Sequence, residues 1–239
     1  MPLVVVVAAR DEAAYIAATL TALRQGLPHA QLWVADDGSR DATAQIATAA
    51  GARVVRGQRP VGKGSAMSAV ARAALAEIAR DERDGPSAGA PVFLLCDGDL
   101  GPSASALQAL VDAVVRGDAD LAVGVFARRR GGGLGLARGF ARWAIRRSCG
   151  VDTRAPLSGQ RALSMRALSD VLPFAHGYGM EVGMTIDAVR AGHRLLELEL
   201  DLTHRVSGLT PAGFAHRARQ LLDIVRAYAG RRNLAPPAR

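Results

Sequence analysis

Three short acidic segments each follow an apolar run: Ala8-Ala9-Arg10-Asp11-Glu12, Asp36-Asp37-Gly38-Ser39 and Asp97-Gly98-Asp99. Asp97 and Asp99 are two residues apart, so on an extended backbone their carboxylates point to one side, and Gly98 leaves the chain open to a ligand. Paired hard oxygen donors of this kind suit Mg²⁺ or Mn²⁺ bridging a diphosphate. A plain polar turn is the competing account of the same Asp-Gly pair. In Asp36–Ser39 a carboxylate has the chemistry to accept a hydrogen bond from a base N–H, with Ser39 and backbone donors for ribose or phosphate. Simple capping of the next helix is the alternative. Gly62-Lys63-Gly64 at a helix start would combine backbone N–H groups, the helix dipole and one ammonium into a phosphate cradle, without the spacing of a P-loop. Lys63 is the only lysine among 30 Lys and Arg residues. A compact ammonium is not interchangeable with a guanidinium.

These segments need a frame that brings them together, and the first half of the chain supplies a parallel α/β rhythm. Leu3–Ala8, Gln31–Ala35, Ala52–Val55, Pro91–Cys96 and Ala119–Val125 read as buried strands. Between them lie a helix over Glu12–Arg24 capped by Asp11, one capped by Asp41 that stops at Gly51, one over Gly64–Arg80, and one capped by Ser103 that ends near Gly117. Asp81–Ala90 reads as a surface loop. All three acidic segments then fall at carboxyl ends of strands, where open α/β sheets bind ligands. Three converging carboxylate clusters repel unless a cation or hydrogen-bond donors sit among them.

Beyond Val125 the rhythm changes. Arg128–Gly139 is an Arg/Gly stretch expected to be mobile, and a helix is expected from near Leu136 with Phe140, Trp143 and Ala144 on one side. Leu196, Leu198, Leu200 and Leu202 alternate with Glu197, Glu199, Asp201 and Thr203, which predicts a strand with one wet face in antiparallel pairing and hence a mixed sheet. A last helix over Pro211–Ala229 opposes Phe214, Leu221, Leu222 and Val225 to Arg217, Arg219 and Arg226, and a Pro-rich tail follows.

The chain has 239 residues, enough for one well-buried core, so a single domain is expected: a nucleotide-binding half over 1–125, a second half over 126–205, and a helix and tail over 206–239. No apolar run is long enough for a membrane span, and the opening Leu3–Ala9 run lacks the basic lead-in of a signal peptide. The two cysteines, Cys96 and Cys149, form no disulfide framework or metal-ligand spacing, which points to a cytoplasmic protein. The net charge of +8 favours anionic partners. Aromatic residues are only 4% of the chain, which argues against base stacking on nucleic acid.

Together, in this order, the features resemble the family 2 nucleotide-sugar glycosyltransferases of the GT-A fold over nearly the whole chain. Val5–Ile16 is similar to that family's opening strand and its Asn-Glu-Glu-type turn, with Ala8 where a Pro is usual and Asp11 where the Asn is. Asp36–Thr43 is close to the second-strand signature, and Asp97-Gly98-Asp99 matches the Asp-x-Asp metal site. Leu157–Ala162, Gly177–Glu181 and His204-Arg205 are similar to segments of glucosyl-3-phosphoglycerate synthases and of dolichyl- or polyprenyl-phosphate sugar transferases. The resemblance implies an α/β, three-layer sandwich with a mixed, mainly parallel central sheet. It implies nucleotide-sugar contacts from Ala9, Glu12, Asp37, Ser39, Lys63, Asp97 and Gly98. Asp99, Glu181 and Lys63 would be catalytic, with a divalent metal on Asp99 and His204. Arg154, Ser158, Gly159 and Arg205 would bind the acceptor.

The implied activity is metal-dependent sugar transfer from a UDP- or GDP-sugar to an anionic acceptor, with polyprenyl phosphate favoured and a small phosphorylated acid the alternative. Peripheral contact with the inner membrane face and a homodimer are expected as further features. A sugar-1-phosphate nucleotidyltransferase would carry a Gly-rich basic first loop, which Ala8–Glu12 lacks. A dinucleotide oxidoreductase would carry G-x-G-x-x-G there, whereas Gly133-Leu134-Gly135 lies far downstream. A non-catalytic nucleic-acid-binding protein leaves three acidic strand ends unexplained.

Overall fold

A computed structural model describes residues 1–84, 89–127, 135–203 and 211–232. Among them a seven-stranded sheet runs in the order β3-β2-β1-β4-β6-β5-β7. Its strands are β1 (Leu3–Ala9), β2 (Gln31–Asp36), β3 (Arg53–Arg56), β4 (Val92–Asp97), β5 (Leu121–Phe126), β6 (Arg161–Ser164) and β7 (Leu195–Leu200). The helices are α1 (Ile16–Gly26), α2 (Thr43–Ala49), α3 (Lys63–Asp84), α4 (Gln108–Val115), α5 (Leu136–Cys149), α6 (Met165–Val171), α7 (Met180–Arg190) and α8 (Pro211–Arg232).

The valine run of β1 explains the layering. Successive side chains of a strand point to opposite faces, so a strand apolar at every position needs cover on both. Val5 and Val7 pack with Leu20 and Leu23 of α1 and Leu110 of α4, while Val4 and Val6 pack with Met67 and Val70 of α3, Leu168 of α6 and Met184 of α7. This is the expected three-layer sandwich. A smaller cluster joins Ala141 and Ile145 of α5, Val182 and Ile186 of α7, and Ile224 of α8.

Strand order places the site. From β1 the chain moves outward to β2 and β3, then returns across the sheet through α3 to β4 on the other side of β1. The connections therefore diverge between β1 and β4, and at such a switch point a crevice opens beyond the carboxyl ends. Ala8 pairs with Asp97 there, and Ala9 with Asp36.

Several expectations are corrected. The sheet is mixed because of β6, which is antiparallel to both β4 and β5; β7 pairs parallel with β5. Its alternating leucines reflect a wet face on an edge strand, not antiparallel pairing. Helix α1 begins at Ile16, after the Tyr15 and Ile16 N–H groups donate to the Glu12 carbonyl, so Asp11 is no cap. Ser103 lies inside a 3₁₀ segment (Gly101–Leu107), where its hydroxyl donates to the Leu100 carbonyl. Helix α3 continues to Asp84, into the expected loop. Of the Arg/Gly stretch, Leu136–Gly139 belongs to α5, and residues 128–134 lie outside the described residues, as does the tail beyond Arg232. Ala144 is fully buried and Phe140 packs against the smaller cluster, whereas Trp143 is exposed.

Gly64 shows how closely α3 is seated. A Cβ there would lie 1.8 Å from the Ala175 carbonyl oxygen, a backbone atom in a connection between packed helices. Gly64→Ala should therefore cost about 3 kcal/mol, the upper range for overpacking. Chemical denaturation checks this; an unchanged midpoint would mean that the 175 turn yields.

Candidate active site

The acidic strand ends are held apart by donors. Asp11, with φ of 56°, turns the chain at the end of β1 and accepts the Arg40 N–H at 2.7 Å. The Asp11 N–H donates to Ser39 Oγ at 3.0 Å, the Glu12 N–H to Thr43 Oγ1 at 2.8 Å, and the Ala13 N–H to Asp41 Oδ2 at 3.0 Å. The segment Asp36–Thr43 thus knits the β1 turn to the β2 turn. Buried Asp36 closes its own turn by accepting the Ser39 N–H, and the Arg56 guanidinium lies 3.4 Å away. Asp37 reaches across to the loop before α3, accepting the Val61 N–H at 2.6 Å and the Gly62 N–H at 3.0 Å.

That loop delivers Lys63. Its Nζ donates to Asp97 Oδ1 at the end of β4, at 2.6 Å, and to Glu181 Oε1 in the first turn of α7, at 2.8 Å. Burial works against the ammonium, but the charges of Asp97 and Glu181 outweigh it and hold its pKa above the ordinary lysine value. Lys63 is therefore charged throughout the neutral range and acts as a fixed cation, not a base. Glu181 is 4% exposed, with Lys63 as its neutralising partner.

A third side chain completes the clamp. Gln160 donates from Nε2 to Asp97 Oδ2 at 2.7 Å and accepts the Asp97 N–H at 3.1 Å. Gly159 brings its backbone so close that a Cβ would lie 2.6 Å from both Asp97 Oδ2 and Lys63 Nζ. Arg161, 1% exposed, donates to the Ser158 carbonyl and to Thr185 Oγ1, each at 2.8 Å. Burial pulls its pKa down to about 10, with Glu181 and Glu197 acting in the opposite sense. Thr185 in turn donates to the Glu181 carbonyl at 3.0 Å, so Arg161 ties the loop before β6 to the start of α7. From the other side, Asp223 of α8 accepts the Tyr178 N–H at 3.2 Å, and a Cβ on Gly177 would sit 2.2 Å from that carboxylate oxygen.

The structure therefore brings Lys63, Asp97, Gly159 and Glu181 together. Asp99 and Gly98 continue from Asp97, with Asp99 half-buried, and Ala9 and Glu12 lie at the end of β1 beside them. The side chains of Asp37 and Ser39 are engaged within the protein, which makes them organisers of the expected nucleotide end. Ser158 is buried, with its carbonyl on Arg161. Arg154 pairs instead with Glu199 of β7 at 2.6 Å, and β5 and β6 separate that edge strand from β4. His204 and Arg205 lie outside the described residues. Gln160 and Arg161 have no role assigned from sequence; their signal is two polar residues opening an otherwise apolar strand segment.

A scan against protein families matches the description "Glycosyl transferase family 2" over residues 4–172. The chain belongs to this family. Glycosyltransferase AglJ of Haloferax volcanii is 29% identical over 167 residues, covering 68% of this chain; the chain spans about half of that curated relative, 50%. Glucosyl-3-phosphoglycerate synthase from Mycobacterium tuberculosis, solved with Mn²⁺, UDP-glucose and phosphoglyceric acid, superposes with a TM-score of 0.70 at 26% identity, over 95% of this chain and 80% of that one. The same enzyme with Mg²⁺ and UDP gives 0.70 at 27%, over 96% and 79%. The GT-A fold is thereby established for this family 2 chain.

Removing the cation tests the clamp. In Lys63→Met, Asp97 and Glu181 would share one crevice without their common partner, at a cost of about 2 kcal/mol at neutral pH. Because like-charge repulsion needs both groups ionised, the deficit should shrink as the medium is acidified enough to protonate carboxylates. In the unsubstituted chain, a raised lysine pKa means stabilisation that is present below the unfolded value and lost only as pH rises through the folded one. Thermal melts of both chains across pH check this; a pH-independent difference would remove the electrostatic account.

Proposed function

We propose that this protein transfers a sugar from a nucleoside-diphosphate sugar, of the UDP or GDP class, to an anionic phosphorylated acceptor. The observation that carries the reading is Lys63, held between Asp97 and Glu181 at the β1/β4 crevice. In such a transfer the bond between the anomeric carbon and the diphosphate oxygen breaks, and one to the acceptor oxygen forms. The nucleoside diphosphate leaves with growing negative charge, and a fixed ammonium beside it stabilises the transition state more than the ground state. The turns of Glu12 and Asp37–Ser39 would orient the nucleotide, and Glu181 with Gly159 would line the transferred sugar.

The donor set fits Mg²⁺ or Mn²⁺. These ions take hard oxygen ligands and are commonly held by one or two carboxylates plus substrate phosphates, so no closed protein cage is required. Among the described residues no three His, Cys, Asp or Glu side chains are grouped to hold a metal by themselves. Asp99 would hold the ion, with Asp97 adjoining and His204 as a further ligand. When bound, it supplies Lewis-acid neutralisation of the leaving diphosphate.

Polyprenyl phosphate is the acceptor we favour, since a phosphate arrives ionised and needs no general base, and the Glu181 carboxylate is already engaged by Lys63. A small phosphorylated acid is the second reading, supported by the likeness to the synthase solved with phosphoglyceric acid. Among the described residues no helix is long and apolar enough to cross a membrane.

A panel of UDP- and GDP-sugars with Mg²⁺ or Mn²⁺, offered polyprenyl phosphate in detergent or 3-phosphoglycerate in solution, tests the reading by nucleoside-diphosphate release. Asp99→Asn should lower turnover more than about a hundredfold with an unchanged melting temperature. Full turnover in excess chelator would overturn the metal role. In the same assay Lys63→Arg should weaken nucleoside-diphosphate affinity about tenfold, or 1.4 kcal/mol, because a planar guanidinium fits poorly beside Gly159. Equal affinity by calorimetry would remove that claim.

A further inference from the structure

Helix α5 turns one apolar stripe inward and keeps another outside. Ala141, Ala144 and Ile145 are fully buried. Leu136 and Trp143, spaced i and i+7, are 67% and 51% exposed, and half-buried Phe140 at i+4 joins them to the inner cluster. The stripe continues onto α8. Tyr228 packs its ring against Phe140 and Trp143, at centroid distances of 6.1 and 5.2 Å, and Leu222 and Val225 are 54% and 39% exposed. Half of the large exposed hydrophobic side chains among the described residues thus lie on two adjoining helices. Scattered exposed leucines are ordinary; a contiguous apolar patch marks an interaction surface.

The rim of the patch is basic. Arg138, Arg142 and Arg146 follow one another at i, i+4 and i+8 along α5, all exposed, and Arg226 lies beside Val225 on α8. A single exposed carboxylate, Asp152, is shared between Arg142 at 3.9 Å and Arg146 at 3.7 Å. Arg226 lies 3.4 Å from Asp223, which is buried. Tryptophan and tyrosine favour the headgroup level of a bilayer, and arginines beside them meet lipid phosphates. A second copy fits the same face poorly, because an isologous contact sets each patch against itself and brings arginine rows together with few carboxylates to receive them.

We propose that the α5–α8 face docks onto the surface of an anionic lipid bilayer, with Trp143, Tyr228 and Val225 entering the headgroup region and Arg142, Arg146 and Arg226 contacting lipid phosphates. The proposal concerns where the protein sits, and it holds for either acceptor. Vesicles without acceptor lipid therefore test it apart from sugar transfer.

The test is co-sedimentation of the full chain with phosphatidylcholine vesicles, with or without phosphatidylglycerol, at low and at physiological salt. Binding should require the anionic lipid and weaken with salt. Trp143→Ser with Val225→Ser should reduce it about tenfold, and Arg142→Gln with Arg146→Gln about twenty-five-fold, at roughly fivefold per arginine. Trp33 is buried, so a blue shift of tryptophan emission on anionic vesicles reports Trp143. Both double variants should keep the nucleoside-diphosphate affinity of the parent by calorimetry. Three outcomes overturn the proposal: no pelleting at low salt, pelleting that the Trp143/Val225 variant fully retains, or a dimer in sedimentation velocity that this variant dissociates.

Discussion

The site depends on one ammonium shared by two carboxylates that come from distant parts of the chain. Asp97 ends a central strand, Glu181 begins a helix on one face of the sheet, and Lys63 begins another helix on that face. Each carboxylate alone would tolerate the sheet edge, but together they need positive charge between them. The ion pair therefore aligns three elements at once. Replacing a whole buried ion cluster by apolar groups is often neutral for stability, whereas removing one partner leaves the others uncompensated, so the three groups act as one unit.

Around that pair, most of the polar side chains serve the backbone. Thr43 and Asp41 receive N–H groups from the β1 turn, Asp37 receives those before α3, and Gln160 accepts the Asp97 N–H while donating to the Asp97 carboxylate. Turns exposed at a sheet edge carry unpaired donors, and satisfying them from neighbouring turns fixes their relative positions. The antiparallel β6 matters for the same reason. Inserted between β4 and β5, it runs opposite to both, so it starts where they end and brings Gly159, Gln160 and Arg161 to the carboxyl edge.

Much of this is legible in the sequence because apolar runs and acidic termini repeat in the first half. The five strands through Val125, their order of chemistry and the Lys63 anomaly all follow from local pattern. What escapes has a physical cause. β6 is only four residues long and buries an arginine at its start, so hydrophobic periodicity cannot register it. The leucine–glutamate alternation of β7 reports one-sided exposure and says nothing of strand direction, hence the mistaken pairing. Asp11 and Ser103 have the residue type of a cap, but both hydrogen-bond to partners outside the expected helices. Arg154, expected at the acceptor end, is exposed and pairs with Glu199 on the edge strand β7.

The contact between Tyr178 and Asp223 spans 45 positions and joins the turn that starts α7 to the last helix. During synthesis a chain grows from its amino end, and domains generally fold as units. The sheet, Lys63 and Asp97 are all made long before Asp223. Without Asp223, the Gly177–Gly179 turn that leads into Glu181 would lose the carboxylate that accepts its Tyr178 N–H. A folding unit that includes the β1/β4 crevice therefore has to include α8 as well, since Asp223 supports the turn that leads into Glu181.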